Sequence, residues 1–414
     1  MRNVIWLVLL FAVAVVAALT LGDNEGLVSF YWSGWRLDLS LNFFLLAALL
    51  IGFAAVSTVH AVNALIGLPT RARQWRALRL ERAAQAALRE ALSEYFAGRF
   101  SRSHKAAQRA IDMHDDVDAL RDDREFRVLV HLLGAASLHR LQDRSRRDTL
   151  MQQALKFSRR GGPAAVDDGA RLLAAELALD DLDGPRAEAL LAELHPGAAR
   201  RTQALRLKLK AARLEQRPMD ALRTARLLAN HQAFSKTAAK GLLRSLAFEA
   251  SDAAHDVDQL RRAWQQFDAA DQRDPFVVAR AAGRAAALGA ADEARLWLRP
   301  LWDGLESLDP EGRAQVALAL ADAVAGIGAD WLPRVELAQR ACPGDAAVQG
   351  AVGLVYVERQ LWGKARRPLE LAANDPQLLP RARRQAWRAL ARLAGEEDDD
   401  ERVQACWRAA AAID

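Results

Sequence analysis

Two apolar runs divided by a short polar loop open this chain, and a burst of arginine follows the second. Residues 3–22 carry no charged side chain, nor do residues 39–70, where only His60 can titrate. Each run is long enough to span a bilayer as a helix, which takes about 20 apolar residues. The loop between them holds Asp23, Glu25, Arg36 and Asp38, and Arg71, Arg73, Arg76, Arg79 and Arg82 come directly after the second run. Basic residues stay on the cytoplasmic side of a membrane. The chain is therefore expected to run in, out and back in, with helices at residues 1–21 and 41–66 and everything after them cytoplasmic. A cleaved signal has an apolar stretch of about 7–15 residues. The first run is longer and a second follows at once, so it reads as an anchor. Gly67-Leu68-Pro69 is expected to end the second helix.

Inside the loop, residues 27–32 and 35–40 are β-prone and flank Ser33-Gly34, a hairpin-turn pattern. Tyr31, Trp32 and Trp35 are of the aromatic type that favours membrane interfaces. The preferred reading is a connection at the outer surface, over a partner-binding element. Trp75, set among the arginines of residues 70–82, marks an interfacial helix with its ring at head-group depth.

The rest of the chain, roughly 340 residues, is enough for a large core. The whole chain of 414 residues has 57 basic and 52 acidic side chains, a net of +5. The excess sits where anionic head groups would attract it, so no nucleic-acid partner is expected. Alanine and arginine are abundant, which reads as coding bias and not as a binding signal. The two cysteines, Cys342 and Cys406, have no metal-ligand spacing, and a reducing compartment keeps them as thiols.

From Thr70 the sequence is rich in Ala, Leu and Arg, all strong helix formers. Breaks fall at Gly98, Gly161-Gly162-Pro163, Asp183-Gly184-Pro185, Pro196-Gly197, Pro218, Asp274-Pro275, Asp309-Pro310, Cys342-Pro343-Gly344 and Asp375-Pro376. Segments of one or two helices between breaks imply helical hairpins in series. The clearest unit is Val352-Gly353, Tyr356, Ala365, Leu369 and Ala372, closed by Pro376 one residue early for the tetratricopeptide pattern. Gly353 and Ala365 would let two helices approach closely, with Tyr356 and Leu369 filling the space beside them. Weaker copies are Gly289, Ala294, Leu298 and Leu301 after Ala282 and Ala285; Ala187, Leu191 and Leu194 after Ala175 and Ala178; and Ala221, Ala225 and Leu228. Gly134, Met151 and Ala154, then Tyr95, Gly98, Phe100 and Ala107, and a last hairpin from Trp387 and Leu390 to Trp407 and Ala410 complete the set. Several copies in register favour a repeat array over a plain helical bundle. Such units stack as a solenoid, each burying its apolar face on its neighbours.

The expected fold is therefore all-α: a two-helix transmembrane hairpin followed by a tetratricopeptide-like α-solenoid. Its expected domains are residues 1–69 (membrane hairpin and outer loop), 70–260 (first repeats, with the basic exit helix) and 261–414 (last repeats).

No phosphate loop, dinucleotide fingerprint, HExxH or nucleophile elbow is present. The eight histidines are scattered; His131 and His139 are two helical turns apart, too far for adjacent-turn chelation, and read as ordinary histidines. His60, with Ser57, Thr58 and Asn63 nearby, is the ionisable residue of a membrane run and so a functional candidate. An imidazole there could be an axial haem ligand, but the preferred reading is a histidine at the interface facing head groups. Trp264, Trp297, Trp302, Trp331, Trp362, Trp387 and Trp407 crowd the C-terminal third and read mostly as core, with one or two able to anchor a partner. The acidic run at residues 396–401 reads as a solvated loop.

This layout resembles the HemY-type proteins of proteobacteria, the membrane proteins associated with haem biosynthesis and not the flavin oxidase that shares the name. The resemblance covers nearly the whole chain. It is carried by the double membrane run, residues 88–110 with Gly98 and Phe100, residues 132–157, residues 260–264 leading into 280–301, and residues 353–372. The family's early Gly-Asp-like corner is Gln142-Asp143 here. The resemblance implies a protein of the inner membrane that holds together or tunes late tetrapyrrole enzymes, and it supplies no catalytic residues. The expectation is a non-enzymatic scaffold, with no catalytic residue, metal or cofactor assigned and with haem-biosynthesis enzymes as partners. The alternatives are a scaffold for envelope polysaccharide or lipopolysaccharide assembly, and a haem- or porphyrin-binding transfer protein.

Overall fold

A computed structural model describes Val13 and residues 25–116, 123–159 and 164–413, with the backbone alone over residues 63–74. The rest of the first apolar run and the break at Gly161-Gly162-Pro163 lie outside these residues. The chain forms two compact units, Met1–Asp143 and Arg144–Asp414.

The first unit opens with the antiparallel strands β1 (Leu27–Trp32) and β2 (Trp35–Ser40), with Trp32 opposite Trp35. Ser33 and Gly34 both have positive φ, as a tight two-residue hairpin turn requires. The hairpin expected from the sequence is thus present with the expected bounds. Ser40 then caps α1 (Leu41–Phe96) by accepting a hydrogen bond from the Phe43 amide. At 1.5 Å per residue, α1 is a rod of about 84 Å. Here the structure corrects the sequence reading, because the backbone stays helical through Gly67-Leu68-Pro69. A proline inside a helix removes one donor and costs about 3 kcal/mol, and helix-forming sequence on both sides carries the rod across. The second membrane run and the first helix beyond it are one element.

Among the described residues, Leu41–Val62 is the one segment long and apolar enough to cross a membrane. Its mean hydropathy is 2.2 and none of it is buried inside the protein. Further along α1, Ala84, Ala87 and Ala91 pack with Ala106, Ala107 and Ala110 of α2 (Phe100–Asp116) and with Phe126, Val130 and Leu133 of α3 (Arg124–Arg140). Alanines this closely set let Ser103 Oγ reach both the Ala91 carbonyl at 2.8 Å and Ser137 Oγ at 2.9 Å, so no buried hydroxyl is left unsatisfied there.

The second unit continues with α4 (Arg144–Ser158), α5 (Ala164–Asp180), α6 (Gly184–Ala192), the single-turn helix Pro196–Ala199, α7 (Thr202–Leu214), α8 (Pro218–Asn230), α9 (Lys236–Asp252) and α10 (Val257–Gln266). There follow α11 (Pro275–Ala287), α12 (Ala291–Asp303), α13 (Pro310–Asp322), α14 (Leu332–Ala341), α15 (Ala346–Glu358), α16 (Trp362–Asn374), α17 (Pro380–Glu396) and α18 (Asp400–Ala411). Helix α1 pairs with α2 in the first unit; in the second, α5, α7, α9, α11, α15 and α17 each pair with the even-numbered helix that follows, and α9, α11, α13, α15 and α17 also pack one on the next. All the described flagged breaks fall at or between helix ends. Asp183, Asp274 and Asp309 cap α6, α11 and α13, each with proline in the first turn. Pro300 and Pro368, which the sequence reading passed over, sit inside α12 and α16.

Three further features were not read from the sequence. First, turns recur with one residue at φ 54–85°: Gly98, Gln142, Leu182, Gln216, Gln232, Gly289, Gln360 and Asp398. In each, the next amide donates at 2.8–3.0 Å to the carbonyl five residues back, the closing bond of a Schellman cap. Second, arginines bridge residues 28–34 apart in sequence. Arg147 reaches Asp181, Arg217 reaches Glu188, Arg244 reaches Asp274, Arg261 reaches Glu293, Arg313 reaches Asp345 and Arg402 reaches Glu370, at 2.5–2.8 Å. Arg284 and Arg295 donate likewise to the Ala254 and Ala323 carbonyls at 2.6 Å. Third, the core is dominated by alanine, which permits close helix approach at every level. The Ala and Arg excess therefore has a structural use.

Candidate functional site

The odd-numbered helices α9, α11 and α13 line a groove of about 490 Å³. Helix α11 supplies its floor through Phe276, Ala279, Gly283 and Ala287, an i, i+3, i+7 stripe with Arg280 and Arg284 beside it. Phe248 and Asp252 come from α9, and Gln315, Leu318 and Asp322 from α13; Leu379 and Arg381 close one end.

Each polar group of the rim is placed by a neighbouring hairpin. Arg280 grips Asp252 with two nitrogens, the closer at 2.5 Å, and this pairing raises its pKa further. Arg284 caps the end of α9 through the Ala254 carbonyl. Arg244 stands 3.9 Å from the Phe276 ring centroid and pairs with Asp274, which holds the ring in place. Arg381 reaches across to Asp322 at 2.6 Å, and Gln385 donates to the Ala321 carbonyl at 3.2 Å. Burial holds the Asp322 carboxyl above the ordinary carboxylate range, against the pull of Arg381. The Arg280 and Arg381 side chains stay 54% and 69% exposed, so both can take a second acceptor. A carbon added at Gly283 would meet nothing within 4 Å, so the middle of the floor is open. An apolar floor with cationic, partly satisfied edges suits a peptide segment carrying both apolar and acidic side chains.

This groove was not located from the sequence. The usable signal was the stripe Phe276, Ala279/Arg280, Gly283/Arg284, Ala287, which periodicity alone cannot tell from a core face. The residues singled out in the sequence lie elsewhere. His60 is exposed on α1 within Leu41–Val62. His131 is buried, its Nδ1 2.7 Å from the Arg127 carbonyl, as an ordinary core histidine would be. Among the described residues no three His, Cys, Asp or Glu side chains converge as a metal site. Cys342 and Cys406 are buried free thiols whose pKa values burial pushes up. Trp297, Trp302 and Trp331 are buried, with Trp264 stacked on Trp297 at 4.6 Å, so these indoles are core as expected. Trp407 is half exposed and Trp75 largely so, with Arg79 over the Trp75 ring at 5.4 Å.

Residues 26–122 match the family described as HemY protein N-terminus. That stretch takes in the β-hairpin, the membrane helix and α2, and it supports on those residues the resemblance drawn from the sequence. No curated protein matches the chain closely enough to be set beside it. Residues 26–122 are thus HemY-like, and with the apolar helix this match points to a membrane-anchored protein.

Proposed function

Starting from a HemY-type N-terminal stretch, we propose that this protein is a non-enzymatic scaffold of the inner membrane that gathers haem-biosynthesis enzymes on a tetratricopeptide-type helical array. The observation that carries the reading is α1, one helix that leaves the apolar segment and becomes the first helix of the array. A repeat surface fixed in this way raises the local concentration of whatever it binds. The expected topology has both apolar runs in the membrane and the array in the cytoplasm, on the strength of Arg71, Arg73, Arg76, Arg79 and Arg82. The tetratricopeptide assignment is supported by the turn residues Leu182 and Gln216, which stand one 34-residue repeat apart, and by the Gly353–Leu369 crossing. The groove on α9, α11 and α13 is the proposed partner surface.

The test compares porphyrin and haem in cells lacking the gene, complemented with the intact protein, with a copy starting at Thr70, or with Gly283→Trp. The open space at Gly283 lets the indole fill the groove without displacing the fold. Porphyrin should accumulate in the null, and the intact protein alone should restore it. Pull-downs of the intact protein should recover tetrapyrrole enzymes, and Gly283→Trp should lose them. A null with an unchanged porphyrin profile would remove haem synthesis from the reading.

A further inference from the structure

The β-hairpin is sided. The register of β1 on β2 puts Val28, Phe30, Trp32, Trp35, Leu37 and Leu39 on one face, and Leu27, Ser29, Tyr31, Arg36, Asp38 and Ser40 on the other. The second face is knit by polar bonds: Ser29 donates to Asp38, and Arg36 pairs with it at 3.0 Å. These bonds, the Ser29 hydroxyl first, lower the Asp38 pKa, so the carboxylate is held charged. The first face is bare toward the turn. Trp32 and Trp35 are 84% and 83% exposed and Leu37 57%. Two strands alone are marginal in water, and a face of two indoles, a phenyl ring and a leucine should not be left there.

The join to α1 says what covers this face. Ser40 ends β2 and caps α1, so no linker separates the hairpin from the apolar segment. Leu41 also donates to the Gly26 carbonyl at 2.8 Å, which pins the base of the hairpin to the helix start. Phe30, on the apolar face, meets Phe44 in the first turns of α1, with ring centroids 5.6 Å apart. The apolar face is thus the one turned toward the segment that enters the bilayer. A strand of six residues reaches about 20 Å, further than the head-group layer of about 5–8 Å is deep, so the hairpin keeps to that depth by lying along the membrane plane. Trp and Tyr are the side chains that settle at that depth.

We infer that the hairpin is an in-plane membrane element, with Phe30, Trp32, Trp35 and Leu37 set into the head-group layer of the leaflet where α1 begins and Ser29, Arg36 and Asp38 facing water. It goes beyond the connecting loop read from the sequence and is independent of what the array binds.

The experiment places single cysteines at Trp32, Leu37, Ser29 and Arg36 of the full-length protein in vesicles of phosphatidylethanolamine and phosphatidylglycerol. The two native thiols are buried, so a nitroxide label goes to the introduced one. None of the four sites belongs to a buried core cluster, so the helical units stay intact. Collisions with oxygen, which partitions into lipid, are compared with collisions with a water-soluble nickel chelate. Labels at 32 and 37 should favour oxygen several-fold, and labels at 29 and 36 should favour nickel. Equal access of nickel to all four would overturn the inference. So would shielding of 32 and 37 from both reagents, which would mean that protein covers the face.

Discussion

Gly353 shows how much one atom decides in this fold. A methyl built on it would lie 2.6 Å from Leu369 Cγ and 3.2 Å from the Leu369 amide nitrogen, and both Gly353 and Leu369 are buried. Neither side can yield without opening the α15–α16 crossing. Gly353→Ala should therefore destabilise by about 1–3 kcal/mol despite the better helix propensity of alanine, seen as a lower denaturant midpoint with unchanged slope. Gly283→Ala, where space is open, should not. This contact was legible, because the small-large pairing of Gly353 with Leu369 follows from spacing. The left-handed turns were not. Gln142, Gln216, Gln232 and Gln360 occupy the position where glycine is the usual signal, so a search for glycine misses them. A non-glycine residue there costs on the order of 1 kcal/mol, and a β-branched one more. Gln360→Val should lower stability by about 1–2 kcal/mol, whereas Gln360→Gly should be neutral or better. Equal effects in thermal melts would mean that the turn does not depend on its left-handed residue.

Helix ends could be read at Asp183, Asp274 and Asp309, where a capping carboxylate precedes proline. The bonds between hairpins could not, because partners about 30 residues apart leave no local pattern. These bonds differ in weight. The Arg147 side chain is 2% exposed between Asp148 and Asp181, and pairing keeps its pKa above the ordinary arginine value although burial opposes it. Arg147→Ala should cost about 1–3 kcal/mol, since it removes a buried charged donor while Arg144 still reaches Asp181 at 3.3 Å. Arg261→Ala, with its side chain 45% exposed, should cost less than about 1 kcal/mol. Acid separates a second pair. Arg159 and Arg171 hold Glu193 below its ordinary value, so its contribution is present above that value and is lost as pH falls through the folded pKa. Asp322 is the opposite case, since burial raises its pKa. Between its ordinary and raised values the folded state binds more protons than the unfolded one, so stability falls as pH rises. Asp322→Asn should thus stabilise at neutral pH, and the gain should vanish on acidification below the ordinary carboxylate value. A gain that persisted in acid would show that charge burial is not its source.

At the scale of the molecule, the continuity of α1 turns a tether into a rod. The expected break at Pro69 would have let the array swing freely on its anchor. A continuous helix instead fixes the height and the facing of the α1–α2 hairpin relative to the apolar segment. This has a periodic consequence, because each inserted residue turns a helix by about 100°. One alanine added between Arg79 and Leu80, ahead of the buried Ala84, should turn that hairpin by about 100°, and two should turn it by about 200°. Seven add two turns and restore the facing to within about 20°, at a height about 10 Å greater. If partners engage both the array and the membrane, porphyrin levels in complemented null cells should fail with one or two inserted alanines and recover with seven. A Gly-Ser stretch of the same length should rescue only in part, since it keeps the reach and loses the facing. Rescue that ignores helical phase would show that the array needs proximity to the bilayer and nothing more from α1.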